Sequence, residues 1–153
     1  MTSFRSERRV RHSAKPMFDL VADVERYPEF VPLCKSLRVR RRVTDEQGLE
    51  VLIADMEVGY RAINERFTSR VTLDPAKYKI RVEYIDGPFS QLENVWTFRD
   101  EGEDCSLVEF FIVYEFRSRI LSALMGSMFD AAFRKFSAAF EARADAIYGR
   151  KSA

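Results

Sequence analysis

A chain of 153 residues with 46% apolar and 32% charged side chains suits one ordinary folded domain and excludes both a disordered and a membrane-spanning protein. Its 25 basic and 24 acidic residues leave a net charge of +1, which argues against DNA or RNA binding through bulk charge. Thirteen Phe are a heavy aromatic load, fitting either a ring-packed core or a cavity lined with rings.

The first residues, Met-Thr-Ser-Phe-Arg-Ser-Glu-Arg-Arg, hold no apolar run of the kind a secretory signal needs, and no window approaches the ~20 apolar residues of a membrane span. A cytoplasmic protein, at most peripheral on the cytosolic face of the inner membrane, is the expectation. Residues 2–12 alternate around Phe4 and Val10 and predict a first strand. Ser13 can cap the helix that follows, with Pro16 placed where its missing N–H costs nothing. Met17, Phe18, Leu20, Val21 and Val24 give that helix one apolar face up to about Glu25. Tyr27-Pro28 breaks it, and the stretch to Pro32 can hold only a turn or a single helical turn.

From Leu37 the period changes to two. Leu37 and Val39 alternate with arginines, and Leu52, Ala54, Met56 and Val58 share one face. Ile63, Phe67, Val71 and Leu73 follow, then Tyr78, Ile80, Val82 and Tyr84. Leu92, Trp96 and Phe98 precede Val108, Phe110, Ile112, Tyr114 and Phe116. Turn signals separate these runs at 45–48, Gly59, 74–75, 86–88 and 100–102. Six short strands at hairpin spacing, added to the first, predict an antiparallel meander with one buried face.

The last third returns to a helical period. Leu121, Leu124, Met125, Met128, Phe129 and Ala132 begin a stripe that Phe133, Phe136, Ala139 and Phe140 continue, and it runs from about Arg119 to Tyr148, a span of ~45 Å. A helix so long and apolar must lie across a wide surface, and only the concave face of the sheet supplies one. The predicted fold class is α+β: a curled antiparallel sheet of about seven strands wrapped around a long C-terminal helix, in one domain over 1–150 with a short tail at 151–153.

Few residues suggest chemistry. Cys34 and Cys105 lie far apart without metal-ligand spacing and read as free thiols; no metal site and no cofactor are expected. The single His12 reads as a surface or structural residue, and no catalytic triad or phosphate-cradling glycine loop occurs, so no catalytic residue and no enzyme activity are predicted. Glu65 shares the face of Ile63 and Phe67, which predicts either a buried ion pair or a contact to a ligand's polar head. Arginines cluster at 5–11, at 38–42 and at 117–119, as solvated strand faces or as a surface for anionic membrane or RNA. On the long helix, Met125 and Met128 beside Phe129 suggest soft, adaptable contacts to a ligand, whereas Phe133, Phe136 and Phe140 suggest firm packing.

The most distinctive segment is Tyr27-Pro28-Glu29-Phe30-Val31-Pro32-Leu33-Cys34, a stiffened loop that projects Phe30, Val31 and Leu33 as an exposed apolar surface. With Phe18-Asp19-Leu20-Val21-Ala22-Asp23-Val24 before it, and Glu65 to Val71, Asp86-Gly87-Pro88-Phe89, Leu92-Glu93-Asn94-Val95-Trp96 and Tyr114 to Ser118 after it, the chain resembles the coenzyme Q-binding START-like proteins. These lie within the helix-grip (START/Bet v 1-like) cyclase/dehydrase superfamily. The resemblance implies a hydrophobic tunnel that binds ubiquinone or a related isoprenoid lipid, with the protein acting as a lipid chaperone for respiratory electron transport. It implies a tail lying against Leu52, Ala54, Met56 and Phe67, against Tyr84, Trp96, Phe110 and Ile112, and under Leu124, Met125, Met128 and Phe129. Phe30, Val31 and Leu33 would form the mouth, and nearby arginines would favour an anionic membrane. A related branch, described as ribosome association toxins, tends to carry Gly before the Trp where this chain has Val95, so Leu-Glu-Asn-Val-Trp resembles the mitochondrial quinone-binding type more closely; the related branch makes a ribosomal subunit the alternative partner. A cyclase or dehydratase acting on a polyketide-like substrate is the third reading, resting on the superfamily alone.

Overall fold

Seven antiparallel strands form one sheet, and a long helix crosses its inner face, in a computed structural model that describes residues 2–60 and 63–149. The strands are β1 (Thr2–Val10), β2 (Cys34–Thr44), β3 (Glu50–Tyr60), β4 (Ile63–Asp74), β5 (Lys79–Asp86), β6 (Phe89–Asp100) and β7 (Ser106–Phe116), in the spatial order β1-β7-β6-β5-β4-β3-β2. Helix α1 (Ala14–Ala22) and a 3₁₀ turn (Val24–Glu29) lie between β1 and β2, and α2 (Arg119–Tyr148) ends the described chain. The helix-grip arrangement expected from the sequence is thus the observed one. The short tail expected at 151–153 lies outside the described residues.

Sheet curvature follows from local irregularities. Extra residues interrupt the pairing at Lys35 and Arg40 of β2, at Ile85 of β5 opposite Thr68 and Ser69, and at Ser90 of β6. Each extra residue bends its strand and increases the local twist. Gly59 and Gly87 allow two close approaches. A Cβ on Gly59 would lie 2.2 Å from Asn64 Oδ1, and one on Gly87, whose φ is +142°, would lie 2.5 Å from Phe67 Cβ. Neither position has room for a side chain.

Helix α2 begins on Ser118, whose Oγ accepts hydrogen bonds from the backbone N–H of Ile120 and Leu121 at 3.1 and 3.2 Å. Its buried residues are Met125, Phe129, Ala132, Phe133, Ser137, Phe140 and Ala144, one i, i+3, i+4 stripe. A row of polar contacts fixes its C-terminal half to the β1–α1 edge. Ser6 meets Ser137 (3.4 Å), Arg8 meets Glu141 (2.7 Å), His12 meets Asp145 (2.7 Å), and Tyr148 donates to the Pro16 carbonyl (3.2 Å). His12 is therefore a buried structural residue and not a surface one. Anchored on this side, α2 presents its other flank to the strands at the far side of the sheet.

Candidate functional site

That flank and the sheet enclose a cavity of about 100 Å³. Its floor is built by period-two alternation, which turns Ala54 and Met56 of β3, Phe67 and Ser69 of β4, and Asn94 and Trp96 of β6 inward. Its roof is α2, through Phe129, Ala132, Phe133, Phe136 and Phe140. The wall is the segment after α1, through Tyr27, Val31, Pro32 and Leu33. Among the described residues no lining side chain is charged, and only Tyr27, Ser69, Asn94 and Trp96 bring nitrogen or oxygen side-chain atoms. Space is left here because Ala54, Ser69 and Ala132 are small. Towards the N-terminal end of α2 the same interval is filled by rings: Phe89 stacks on Phe116 at 4.9 Å, and Phe129 lies 5.4 Å from Phe116 and 5.8 Å from Phe89.

The wall segment is folded inward, not projected into solvent as its sequence suggested. The Tyr27 phenol donates to the Val21 carbonyl, and burial pushes its pKa far above the usual tyrosine range, so it stays protonated. Phe30 packs edge-on against Phe140 (5.0 Å) and lies under the Arg143 guanidinium, also at 5.0 Å. Arg143 forms an ion pair with Glu29, which also pairs with Arg26 at 3.1 Å. Hydrogen bonds from Arg143 and then Arg26 hold the Glu29 carboxyl below its ordinary range. Leu33 adopts a left-handed backbone (φ +66°), and its carbonyl accepts from Gly59 N at 3.0 Å. The segment is tied to α2 at one end and to β3 at the other. Burial raises the Cys34 thiol to about 11, which makes it unreactive at neutral pH.

Of the residues expected to line a tunnel, Val31, Leu33, Ala54, Met56 and Phe67 do line the cavity, as do Trp96, Phe110, Ile112 and Phe129. Six lie elsewhere. Leu124 faces solvent, 53% exposed, because the helical stripe at this level is carried by Met125. Met125 and Leu52 are fully buried in packing away from the cavity, and Met128 is half-buried beside it in the core. Tyr84 closes the end of the sheet, its hydroxyl accepting from Phe89 N at 3.2 Å. Phe30 backs the wall from behind. Phe133, Phe136 and Phe140, read as packing, join Phe129 in the roof, whereas Met125 and Met128 are not in the lining. Sequence reasoning also missed Ser69 and Asn94, although each falls at an inward position, Ser69 between Phe67 and Val71 and Asn94 between Leu92 and Trp96. Glu65 is half-buried, does not line the cavity and makes no ion pair among the described residues. Among those residues no group of three His, Cys, Asp or Glu side chains is placed to hold a metal ion, and no helix is long and apolar enough to cross a membrane.

Residues 10–141 match the family described as polyketide cyclase / dehydrase and lipid transport. The chain is similar to the ribosome association toxin RatA of Rickettsia prowazekii, 34% identical over 150 residues that cover 96% of this chain and 99% of that protein. It is also similar to the mitochondrial coenzyme Q-binding protein COQ10 homolog B of Xenopus laevis, 35% identical over 144 residues, which are 91% of this chain and 56% of the frog protein. A START superfamily protein from Mycobacterium smegmatis superposes with a TM-score of 0.78 over 95% of this chain and 98% of its own, at 19% identity, a likeness of fold alone.

Proposed function

This chain belongs to the polyketide cyclase/dehydrase and lipid transport family, and from that premise we propose that it binds ubiquinone or a related isoprenoid lipid and serves as a lipid chaperone for respiratory electron transport. Identity does not separate the two named relatives, at 34% and 35%. The observation that carries the reading is the cavity lining, mostly apolar on sheet, helix and wall and without a charged side chain among the described residues. Such a lining suits an isoprenoid chain, which gains ~0.8 kcal/mol per buried CH₂ before ordering costs. A cavity of about 100 Å³ has room for about three waters at ~30 Å³ each, and small-molecule pockets begin near ~300 Å³. Binding therefore involves movement of the 27–33 wall away from α2, so the mouth is a hinged wall and not a standing tunnel. At the N-terminal end of α2, Ile120 and Leu124 are exposed one turn apart beside Arg117 and Arg119, a combination suited to an anionic lipid surface. Mass spectrometry of an organic extract of the purified protein is expected to find an isoprenoid lipid. An empty extract together with no binding of added quinone overturns the reading.

A second reading is favoured by the near full-length similarity to the ribosome association toxin. Strand β2 is a sheet edge bearing Arg38, Arg40, Arg41 and Arg42; Arg40 pairs with Asp55 and Arg42 with Glu25, whereas Arg38 and Arg41 make no ion pair among the described residues. In this reading they contact ribosomal RNA, and co-sedimentation with free ribosomal subunits weakens steeply with salt. No co-sedimentation at low salt excludes it.

A further inference from the structure

Asn94 is 91% buried, being 9% exposed, and it lines the cavity at the middle of β6. Its amide Nδ2 donates to the Phe111 carbonyl across the strand pair at 2.8 Å. Because that carbonyl can only accept, the bond fixes the orientation of the amide: nitrogen towards β7, oxygen Oδ1 away from it. Oδ1 accepts no hydrogen bond among the described residues, and it is not sealed as the Arg143 Nε is. Two other polar side chains share this lining without a side-chain hydrogen bond of any kind among the described residues: Ser69, 6% exposed, and Trp96, 3% exposed, whose indole can only donate; the Tyr27 hydroxyl is engaged with the Val21 carbonyl. Within an otherwise apolar enclosure the chain thus presents donors and one committed acceptor.

A ligand bearing only carbonyl oxygens can satisfy the donors but leaves the Asn94 acceptor unpaired. A hydroxyl satisfies both kinds of group, donating to Oδ1 while accepting from Ser69 or Trp96. We infer that this cavity selects the hydroxyl-bearing, reduced form of a prenylated ring over its carbonyl-bearing, oxidised form, with Asn94 as the discriminating residue. The inference rests on the isoprenoid-binding reading above and specifies which redox form is bound more tightly. Physically the preference is set by one neutral hydrogen bond made in a largely apolar enclosure.

The test is equilibrium titration of the full chain, under anaerobic conditions, with a short-chain ubiquinone and with the corresponding ubiquinol, read by quenching of Trp96, the single tryptophan. Ubiquinol is expected to bind about three- to tenfold more tightly, the size of one neutral hydrogen bond. In Asn94→Leu the ratio of the two affinities is expected to fall to about one, whatever happens to the absolute affinities. Asn94→Ala serves in its place should the leucine variant fail to fold. Equal affinities in the unaltered protein, a preference for ubiquinone, or an unchanged ratio in a folded Asn94 variant each overturn the inference while leaving quinone binding intact. If neither form binds, the underlying reading fails and this inference fails with it.

Discussion

At Phe140 the roof, the wall and the floor of the cavity meet, its ring packing edge-on against Tyr27 at 5.3 Å, Phe30 at 5.0 Å and Trp96 at 5.0 Å. Truncation to Ala removes all three contacts from a fully buried site. Phe140→Ala is expected to destabilise the fold by about 3–5 kcal/mol in urea or guanidinium titrations. Leu124 gives the contrast on the same helix. It is 53% exposed, so Leu124→Ser is expected to stay within about 0.5 kcal/mol of the parent while weakening binding to anionic vesicles. A cost near that of a core leucine would show that α2 is rotated from the position described. His12 illustrates a third kind of contribution. Its Nε2 meets Asp145 in a buried site, and His12→Ala leaves the carboxylate without that partner, an expected loss of about 1–3 kcal/mol.

The wall segment joins two elements by few bonds, and this makes it the part of the cavity able to move. Its polar tie to α2 is the Arg143–Glu29 pair, with the Arg143 Nε buried and lacking a hydrogen-bond partner among the described residues. Because the Glu29 carboxyl in the folded chain titrates below its ordinary 4.5, the tie is complete above that pH and is lost as pH falls through the lower folded value. The rate of quinone entry, followed by Trp96 quenching, is expected to rise as the pH is lowered below about 4.5. Glu29→Gln should enter faster than the parent at pH 7 and show no such rise. A pH-independent rate in the parent shows that the wall opens elsewhere. The elements themselves were readable from the sequence: period two for each strand, period 3.6 for α2, and proline and glycine punctuation between them. What periodicity could not supply was depth along the helix. Met125 and Phe133 obey the same stripe, yet one is sealed by packing and the other faces space, because the vacancy is set by Ala54, Ser69 and Ala132 on elements far apart in the chain. The direction of the wall was equally hidden. Phe30 is drawn inward by Phe140 and Arg143, more than a hundred positions later.

At the scale of the whole molecule the two proposed interactions use separate surfaces. The cavity is enclosed between the inner face of β2 to β7, α2 and the wall, while Arg38 and Arg41 stand exposed on the β2 edge. Replacing both arginines with Ser is therefore expected to abolish salt-sensitive association with ribosomal subunits and to leave lipid binding unchanged. Lipid binding has its own global signature. A ligand that binds only the folded chain stabilises it by RT ln(1 + [L]/Kd), whatever the wall's opening costs, because that cost is already contained in Kd. At free ligand one hundred times Kd the gain is about 2.7 kcal/mol. For a chain of 153 residues, 1 kcal/mol corresponds to about 2–4 °C, so the expected rise in Tm is about 5–11 °C, growing with the logarithm of ligand concentration. Phe140→Ala should start from a lower Tm and, having lost a wall contact, show a different Kd but the same logarithmic slope. A Tm indifferent to quinone at its solubility limit, beside retained binding to ribosomal subunits, would leave the arginine edge as the functional surface and the cavity as a feature of packing.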